Sequence, residues 1–219
     1  MAGVRPVVHG VWEADGAKKT FTHALDPGLL AAHIPREGRV IDYGCGYGRL
    51  TAHLTELGYP HVTGVDPSGA MIERGLRERP GLALRHQPGL PLPEADGSFD
   101  AALLFAVLNC VPDDRSQRAV VAELARVVRP GGTMYVSEVP LQRDARNVAR
   151  YEQHSQSSPH APYGTFTTPE GGLFRHHTPA HLRALLTGSG FTPVEERTGT
   201  APTLGGHQAT RLQLVARRS

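Results

Sequence analysis

Apolar runs bounded by turn residues alternate along this chain with stretches in which apolar residues recur at helical spacing. Such an alternation is typical of a parallel sheet with helices on its faces. The pattern therefore predicts an α/β fold. The predicted strands are residues 39–43, 61–65, 82–86, 99–105, 133–137, 191–196 and 210–216.

Helices are predicted between these strands. The first carries Leu50, Leu54 and Leu57 on one face and ends at Gly58, and others are predicted over 69–79, 112–128 and 178–187. The run over 99–105 is almost entirely apolar, as expected of a central strand that is covered on both faces. A short connection joins the last two strands, so we expect a hairpin that places an antiparallel strand beside the parallel ones.

The pattern breaks down from Val139 to His177, where polar residues, prolines, serines and histidines follow one another without a clear period. A structureless connection of this length is unusual in a compact domain unless it has a function. We therefore predict that residues 139–177 are an insertion that forms a lid over a binding site.

Length and composition limit the classes of function. The 219 residues suit one domain, and the net charge of +2 arises from interspersed charges without a basic stripe, so we expect no nucleic-acid partner. No stretch approaches the ~20 apolar residues of a membrane helix, so we expect no membrane partner. Residues 1–16 do not resemble a secretory signal, and the two cysteines suit a reducing compartment, so we expect a cytoplasmic protein.

Candidate chemistry begins where the first strand ends. Asp42 is followed by Gly44, Gly46 and Gly48 and then by a helix, an order that lets the backbone approach a nucleotide closely, although tight turns use the same glycines. Asp66 ends the second strand, where a carboxylate can accept hydrogen bonds from both hydroxyls of a ribose. These features alone leave nicotinamide cofactors possible, and Asp66 alone also suits a surface turn.

The loop lacks the further glycine, near Leu50 or Thr51, that a dinucleotide fingerprint requires. The chain instead resembles class I S-adenosylmethionine-dependent methyltransferases in four segments, which are VIDYGCGYGRL at 40–50, GVDPS at 64–68, PLPEADGSFD at 91–100 and ELARVVRPGGTMYVSE at 123–138. The close resemblance covers residues 38–138. It implies a Rossmann-like doubly wound sheet of about seven strands, mostly parallel with an antiparallel strand near the C-terminus, and S-adenosylmethionine as cofactor.

The resemblance also implies roles for individual residues, with residues 1–37 as a cap over the cofactor within a single domain spanning 1–219. In place of the Gly-Asp-Ala found in many members, this chain has Gln87-Pro88-Gly89-Leu90, so we expect backbone groups of Gly89 and Leu90 to contact the adenine. The cap segment could equally be a surface helix. The predicted cofactor-binding residues are Trp12, Lys19 and Phe21 in the cap, Asp42, Gly44 and Gly46 beside the methionine and ribose, Asp66 on the ribose, Pro67, Met71, Gly89 and Leu90 around the adenine, and Phe105 near the methionine amino group.

The acceptor site is expected beyond the fourth strand and in the insertion. We predict His176 or His177 as a general base or as a group that orients the acceptor, because the ordinary pKa of histidine lies near neutrality. A surface or structural role is the alternative for any one of the 12 histidines. The predicted acceptor-binding residues are Asn109, His154, His160, Tyr163 and Arg175. The histidines lack the paired spacing typical of zinc, so no metal is expected.

The sequence thus predicts a methyltransferase that acts on a hydroxyl, carboxylate, amine or thiol of a small-molecule metabolite. Two alternatives remain at this stage. One is an NAD(P)-dependent oxidoreductase, although the chain shows no Tyr and Lys four residues apart on a predicted helix. The other is a relative that binds S-adenosylmethionine without catalysis, and the histidine-rich insertion argues against it.

Overall fold

A computed structural model of the chain describes residues 10–14, 18–203 and 205–219. Its strands are β1 (Val40–Tyr43), β2 (Val62–Asp66), β3 (Leu84–His86), β4 (Phe99–Phe105), β5 (Val128–Glu138), β6 (Thr165–Thr167), β7 (Leu173–Arg175), β8 (Phe191–Pro202) and β9 (Gln208–Arg218). Its helices are α1 (Gly10–Glu13), α2 (Pro27–His33), α3 (Arg49–Glu56), α4 (Gly69–Glu78), α5 (Asp114–Val127), α6 (Ala145–Ser157) and α7 (Pro179–Thr187).

Seven strands form one sheet in the order β3-β2-β1-β4-β5-β9-β8. Strands β1 to β5 run parallel, whereas β9 pairs antiparallel with β5 and β8 pairs antiparallel with β9. The predicted Rossmann-like fold class, with its antiparallel finish, is confirmed.

Helices cover both faces of this sheet, as the apolar runs predict. On one face, α5 and α7 pack against the sheet through residues such as Val121, Leu124 and Leu182. On the other face, Leu30 of α2 and Leu54 of α3 belong to a second apolar cluster. Because both faces are covered, β1 is buried at every position. No helix in the described ranges is long and apolar enough to cross a membrane.

Three strands extend well beyond their predicted bounds. Strand β5 begins at Val128, which pairs with Phe99, and the next pair joins Thr133 to Ala101, so residues 129–132 bulge out between them. Strands β8 and β9 extend beyond the predicted segments because they continue as a long hairpin past the end of β5.

The insertion 139–177 is more regular than its sequence pattern predicts. It contains the 13-residue helix α6, which Asp144 caps by accepting a hydrogen bond from Asn147 N, and a small antiparallel hairpin of β6 and β7. Only two α6 residues, Asn147 and Tyr151, are buried, so the helix lacks the apolar stripe that reveals a helix in sequence.

The described part of the N-terminal segment lies against α4. The Glu13 carboxylate accepts hydrogen bonds from the N–H groups of Gly69 and Ala70 at 3.0 and 3.2 Å, which places an acid at the positive end of that helix. Ser68 Oγ donates to the Trp12 carbonyl at 3.2 Å. Residues 1–9 and 15–17 of the predicted cap lie outside the described residues.

Candidate active site

A cavity of about 760 Å³ lies at the carboxyl ends of β1, β2 and β4. Its walls come from four sources, which are the strand ends with their loops, residues 11–12 and 19–23 of the N-terminal segment, α6 with the β6–β7 hairpin, and the tip of the β8–β9 hairpin with Arg211. The volume is within the range of ~300–1,000 Å³ that small-molecule sites occupy. The segments predicted to hold a cofactor and an acceptor therefore share one enclosure.

The glycine loop forms part of the floor of this cavity. Gly44 and Gly46 have φ values of 72° and 57°, in the left-handed region that favours glycine. A Cβ atom at Gly46 would lie 2.4 Å from Cε2 of Phe21, and one at Gly44 would lie 2.4 Å from Cγ2 of Val107. Larger residues would therefore collide with both neighbouring segments of the site.

Asp66 ends β2 beside this loop and lines the cavity. Its Oδ2 accepts a hydrogen bond from Gly46 N and its Oδ1 accepts one from Ser68 N, both at 2.8 Å. Burial raises the pKa of Asp66 to about 6, against the lowering effect of these two bonds. Since each carboxylate oxygen can accept a second hydrogen bond, the group can still bind two hydroxyls in the cavity.

Asp42 is the third residue of β1 and lines the same part of the cavity. Its Oδ2 accepts a hydrogen bond from Thr51 Oγ1 at 2.8 Å, and burial raises its pKa to about 6. Arg49, which the sequence analysis did not select, follows the loop and also lines the cavity. Its guanidinium donates to the His23 carbonyl, while its Nε is buried without a hydrogen-bond partner. The signal in the sequence was a cation directly after the glycine loop.

The residues predicted to surround the adenine separate into two groups. Pro67 and Met71 line the cavity beside Asp66. Gly89 and Leu90 do not line it, because Leu90 packs against the apolar core on the α5 face and the Gly89 carbonyl accepts a hydrogen bond from Gln87 Nε2 at 2.5 Å. The structure thus does not bring the predicted adenine contacts of Gly89 and Leu90 to the site.

The three predicted cap residues, Trp12, Lys19 and Phe21, all line the cavity. Phe21 stacks on Tyr47 with ring centroids 5.1 Å apart, and Trp12 meets the edge of Phe21 at 5.8 Å. Lys19 Nζ forms an ion pair with Glu170 Oε1 at 2.8 Å. Helix α1 ends at Glu13, and residues 19–26 carry neither helix nor strand, so this stretch is not a surface helix.

The loop after β4 places Phe105 and Asn109 in the wall of the cavity. Ala106 between them has φ of 55°, a strained value for a residue that is not glycine. Glu138, which sequence reasoning missed, is buried behind this loop, and its Oε1 accepts a hydrogen bond from Leu108 N at 2.7 Å. Burial raises the pKa of Glu138 to about 8. Glu138 thus holds the backbone that carries Asn109.

The adjacent histidines after β7 point in opposite directions, as alternating residues of an extended chain do. His176 is 6% exposed and lines the cavity, and its Nδ1 lies 2.6 Å from the Tyr151 hydroxyl. Burial, aided by the positive charge of Arg150, lowers its pKa to about 3.

His177 is 1% exposed and lies outside the cavity. Its Nε2 is 2.7 Å from Gln117 Nε2, and its ring stacks on His181 with centroids 5.1 Å apart. Burial lowers its pKa to about 3 as well. The structure therefore separates the two predicted catalytic histidines and brings only His176 to the site.

The other predicted acceptor residues do not reach the cavity. Arg175 forms an ion pair with Asp114 and donates to the Pro112 carbonyl, because it shares the orientation of His177 toward α5. His160 and Tyr163 lie in the exposed connection between α6 and β6, where Tyr163 is 53% exposed. His154 lies in the last turn of α6, whereas the cavity is lined by Arg146, Asn147 and Arg150 from the earlier turns.

Comparison with known proteins now gives the family. A family profile described as a methyltransferase domain matches residues 18–196, which is most of the chain. The chain belongs to the methyltransferase domain family. A ubiquinone biosynthesis O-methyltransferase from Xanthomonas oryzae pv. oryzae is 35% identical over 135 residues, which cover 58% of this chain and 54% of that relative. One from Methylococcus capsulatus is 35% identical over 139 residues, which cover 59% and 56%. This methyltransferase chain thus matches only about half the length of these relatives.

Solved structures agree with the fold. A methyltransferase of Methanosarcina mazei, described as S-adenosylmethionine-dependent, is 26% identical with a TM-score of 0.81, covering 89% of this chain and 98% of that one. The 1,6-didemethyltoxoflavin-N1-methyltransferase of Burkholderia thailandensis, solved with S-adenosylhomocysteine, is 24% identical with a TM-score of 0.63, covering 95% and 81%, and supports the fold alone. Family and fold together place the chain among the class I S-adenosylmethionine-dependent methyltransferases, so an NAD(P)-dependent oxidoreductase is not favoured.

Proposed function

We propose that this methyltransferase transfers the methyl group of S-adenosylmethionine to a small molecule that binds in the cavity between the glycine loop and α6. One observation carries the proposal. The same enclosure is lined by the ribose-type acid Asp66, the strained loop with Asn109, and His176 of the insertion. Donor and acceptor could therefore lie side by side within it, apart from bulk water.

The residues present fit the cofactor. The left-handed glycines let Phe21 and Val107 pack directly against the loop, and the Asp66 carboxylate has capacity for two further hydrogen bonds. Asp66 would hold the ribose hydroxyls, Pro67 and Met71 would contact the adenine, and Arg49 would bind the carboxylate of the methionine moiety. Asp42, Gly44, Gly46 and Phe105 would border that moiety, and Trp12, Lys19 and Phe21 would cover it.

When bound, S-adenosylmethionine would supply a methyl carbon activated by the positive sulfur, and transfer of that methyl to a lone pair of the acceptor would leave S-adenosylhomocysteine. The protein contributes orientation and exclusion of water. Asn109 and His176 are two polar side chains of the cavity wall that could orient an acceptor. Because the pKa of His176 is lowered to about 3, the ring is neutral at pH 7 and acts as a hydrogen-bonding group, while the acceptor's proton leaves to water.

The acceptor is a hydroxyl, carboxylate, amine or thiol of a metabolite, and the curated relatives named O-methyltransferases favour oxygen. A cytoplasmic location and the lack of a nucleic-acid or membrane partner stay predictions from the sequence.

Calorimetric titration of the purified protein with S-adenosylmethionine, S-adenosylhomocysteine and NAD tests the proposal. We expect micromolar binding of the first two and none of NAD. Incubation with methyl-labelled S-adenosylmethionine and pools of hydroxy, amino and thiol metabolites should then transfer label to at least one acceptor. Cofactor binding without label transfer to any pool, including whole-cell small-molecule extracts, would point to the non-catalytic alternative.

A further inference from the structure

Arg211 of β9 is a buried arginine in the wall of the cavity. It is 4% exposed, and its Nε and Nη1 atoms have no hydrogen-bond partner. No carboxylate in the described ranges forms an ion pair with it, and burial lowers its pKa to about 10. The guanidinium is thus charged at neutral pH and lacks a partner of opposite charge.

An unpaired buried charge is destabilising, because the group has lost its hydration and gained nothing in exchange. Groups of this kind are found where a ligand completes the arrangement, and an arginine fork matches the planar geometry of a carboxylate or the oxygens of a phosphate. The free donor atoms of Arg211 therefore indicate an anionic ligand.

The residues around Arg211 also favour a negatively charged ligand. Helix α6 presents Arg146 and Arg150 to this cavity. The carboxylates that line it are Asp42 and Asp66 at the glycine loop and Glu170, which is paired with Lys19. Among the described lining residues, the wall formed by β9 and α6 is therefore cationic without an acid of its own.

The sheet order separates Arg211 from the cofactor site. Strand β9 lies four strands away from β2, which carries Asp66, a distance of about 19 Å at ~4.8 Å per strand. Arg49 directly follows the glycine loop and has a free Nε for the carboxylate of the cofactor. An anionic group bound at Arg211 could therefore belong to a molecule other than the cofactor.

We propose that Arg211 binds a carboxylate or phosphate group of the methyl acceptor, so that the enzyme selects anionic acceptors. This inference rests on the proposed function, because it assigns the second molecule in the cavity to the methyl acceptor. Arg146 and Arg150 add positive charge to the same region.

The test uses benzoate and inorganic phosphate as probes, titrated calorimetrically at low salt into the protein with and without S-adenosylhomocysteine. The wild type should bind at least one probe, and Arg211→Met should weaken that binding by about tenfold or more, as expected for a lost charge-assisted hydrogen bond. Affinity for S-adenosylhomocysteine should stay within about twofold. The matched control is Arg217→Met, on the same strand, where the guanidinium bonds Thr133 outside the cavity.

A second readout separates binding from a structural role. Without ligand, Arg211→Met should have a melting temperature equal to or above that of the wild type, since it removes an unpaired buried charge. A lower melting temperature, probe binding unaffected by the substitution, or no binding of either probe to the wild type would overturn the inference. An equal loss of S-adenosylhomocysteine affinity would assign Arg211 to the carboxylate of the cofactor instead. Failure of the wild type to bind S-adenosylhomocysteine would reject the proposed function separately, and the cofactor-free titrations would still decide the role of Arg211.

Discussion

Lys19 and Glu170 form an ion pair of 2.8 Å between Nζ and Oε1, although 151 positions separate them in the chain. Lys19 belongs to the N-terminal segment and Glu170 to the turn between β6 and β7. A second contact joins the same segments, because the rings of Trp12 and Phe174 meet edge to face with centroids 6.0 Å apart. The two covers predicted separately from the sequence therefore form one continuous roof over the cavity.

Breaking this ion pair should speed release of the cofactor with little effect on stability, because both side chains are partly exposed. We expect Glu170→Gln to raise the dissociation rate of S-adenosylhomocysteine several-fold in stopped-flow measurements. The exchanged pair, Lys19→Glu with Glu170→Lys, should restore it. Lys19 lowers the pKa of Glu170 to about 2. The effect of the ion pair on cofactor release should therefore be complete above pH 4.5 and be lost only as the pH falls toward 2. Unchanged release from Glu170→Gln would show that the roof does not control it.

Asp66→Ala should weaken binding of S-adenosylhomocysteine by about 1.5 to 3 kcal/mol, since hydrogen bonds to a charged group are lost. The pKa of Asp66 in the free protein is about 6, and ribose hydroxyls bind the ionised form, so wild-type affinity should fall as the pH drops below 6. This dependence should be weaker in the variant. Calorimetry at several pH values measures both effects.

The control for this substitution is Asp96→Asn, which removes an exposed carboxylate paired with Arg126 outside the cavity. Its affinity for S-adenosylhomocysteine should equal that of the wild type. Equal affinities for Asp66→Ala and the wild type would remove Asp66 from the ribose site.

The two neighbouring histidines should differ in their effect on catalysis. His176→Ala should lower kcat/KM about tenfold or more, because it removes a group that orients the acceptor, and should also lower stability, because it breaks the buried contact with Tyr151. His177→Ala should lower stability by about 1–3 kcal/mol, since it breaks the contact with Gln117 in a buried site, and should leave kcat/KM nearly unchanged. Steady-state kinetics with an accepted substrate and thermal unfolding separate the two effects.

The pH profile gives an independent check on His176. Its pKa is lowered to about 3, so kcat should show no histidine-type ionisation between pH 5 and 8. A wild-type inflection near pH 6.5 that disappears in His176→Ala would establish a general base and contradict the orienting role.

Glu138 should make the stability of the protein depend on pH in the direction opposite to ordinary acid denaturation. Its pKa is raised from 4.5 to about 8 in the folded state, so its contribution is complete below pH 4.5 and is lost as the pH rises through 8. Glu138→Gln cannot ionise at this position. Between pH 4.5 and pH 8 the free energy of unfolding of the wild type should therefore fall by a few kcal/mol relative to that of the variant, at ~1.4 kcal/mol per pKa unit. Urea unfolding at pH 5 and 8.5 measures the difference, and a constant difference would contradict the buried ionisation.

The sheet and the cofactor half of the site could be predicted because their signals are local. Parallel strands that are covered on both faces are continuous apolar runs, and the loop over 44–48 must be rich in glycine to adopt left-handed φ values. Asp42 and Asp66 were recognisable because each lies at the carboxyl end of such a run. The placement of Gly89 and Leu90 could not be read from the sequence, since it depends on packing against α5.

The acceptor half carries weaker signals. Helix α6 turns the polar side chains of Arg146, Asn147 and Arg150 toward the cavity, so it shows no apolar period despite its length. Arg211 occupies an alternate position in a strand, where a charged residue normally predicts a solvent-facing side chain. Only the three-dimensional arrangement turns that position toward the cavity.

The alternation at residues 175–177 also bears on how enzymes of this kind diverge. Arg175 and His177 are tied to α5 through Asp114 and Gln117, while His176 between them faces the cavity. A one-residue insertion there would turn the side chains that now contact α5 toward the cavity, and the side chain that now lines the cavity toward α5. Insertions and deletions in this stretch should therefore be poorly tolerated. The inner face of α6, which presents Arg146, Asn147 and Arg150 to the cavity, is not tied to α5 in this way. Substitutions there can change the charge of the cavity wall without moving the residues that anchor 175–177 to α5.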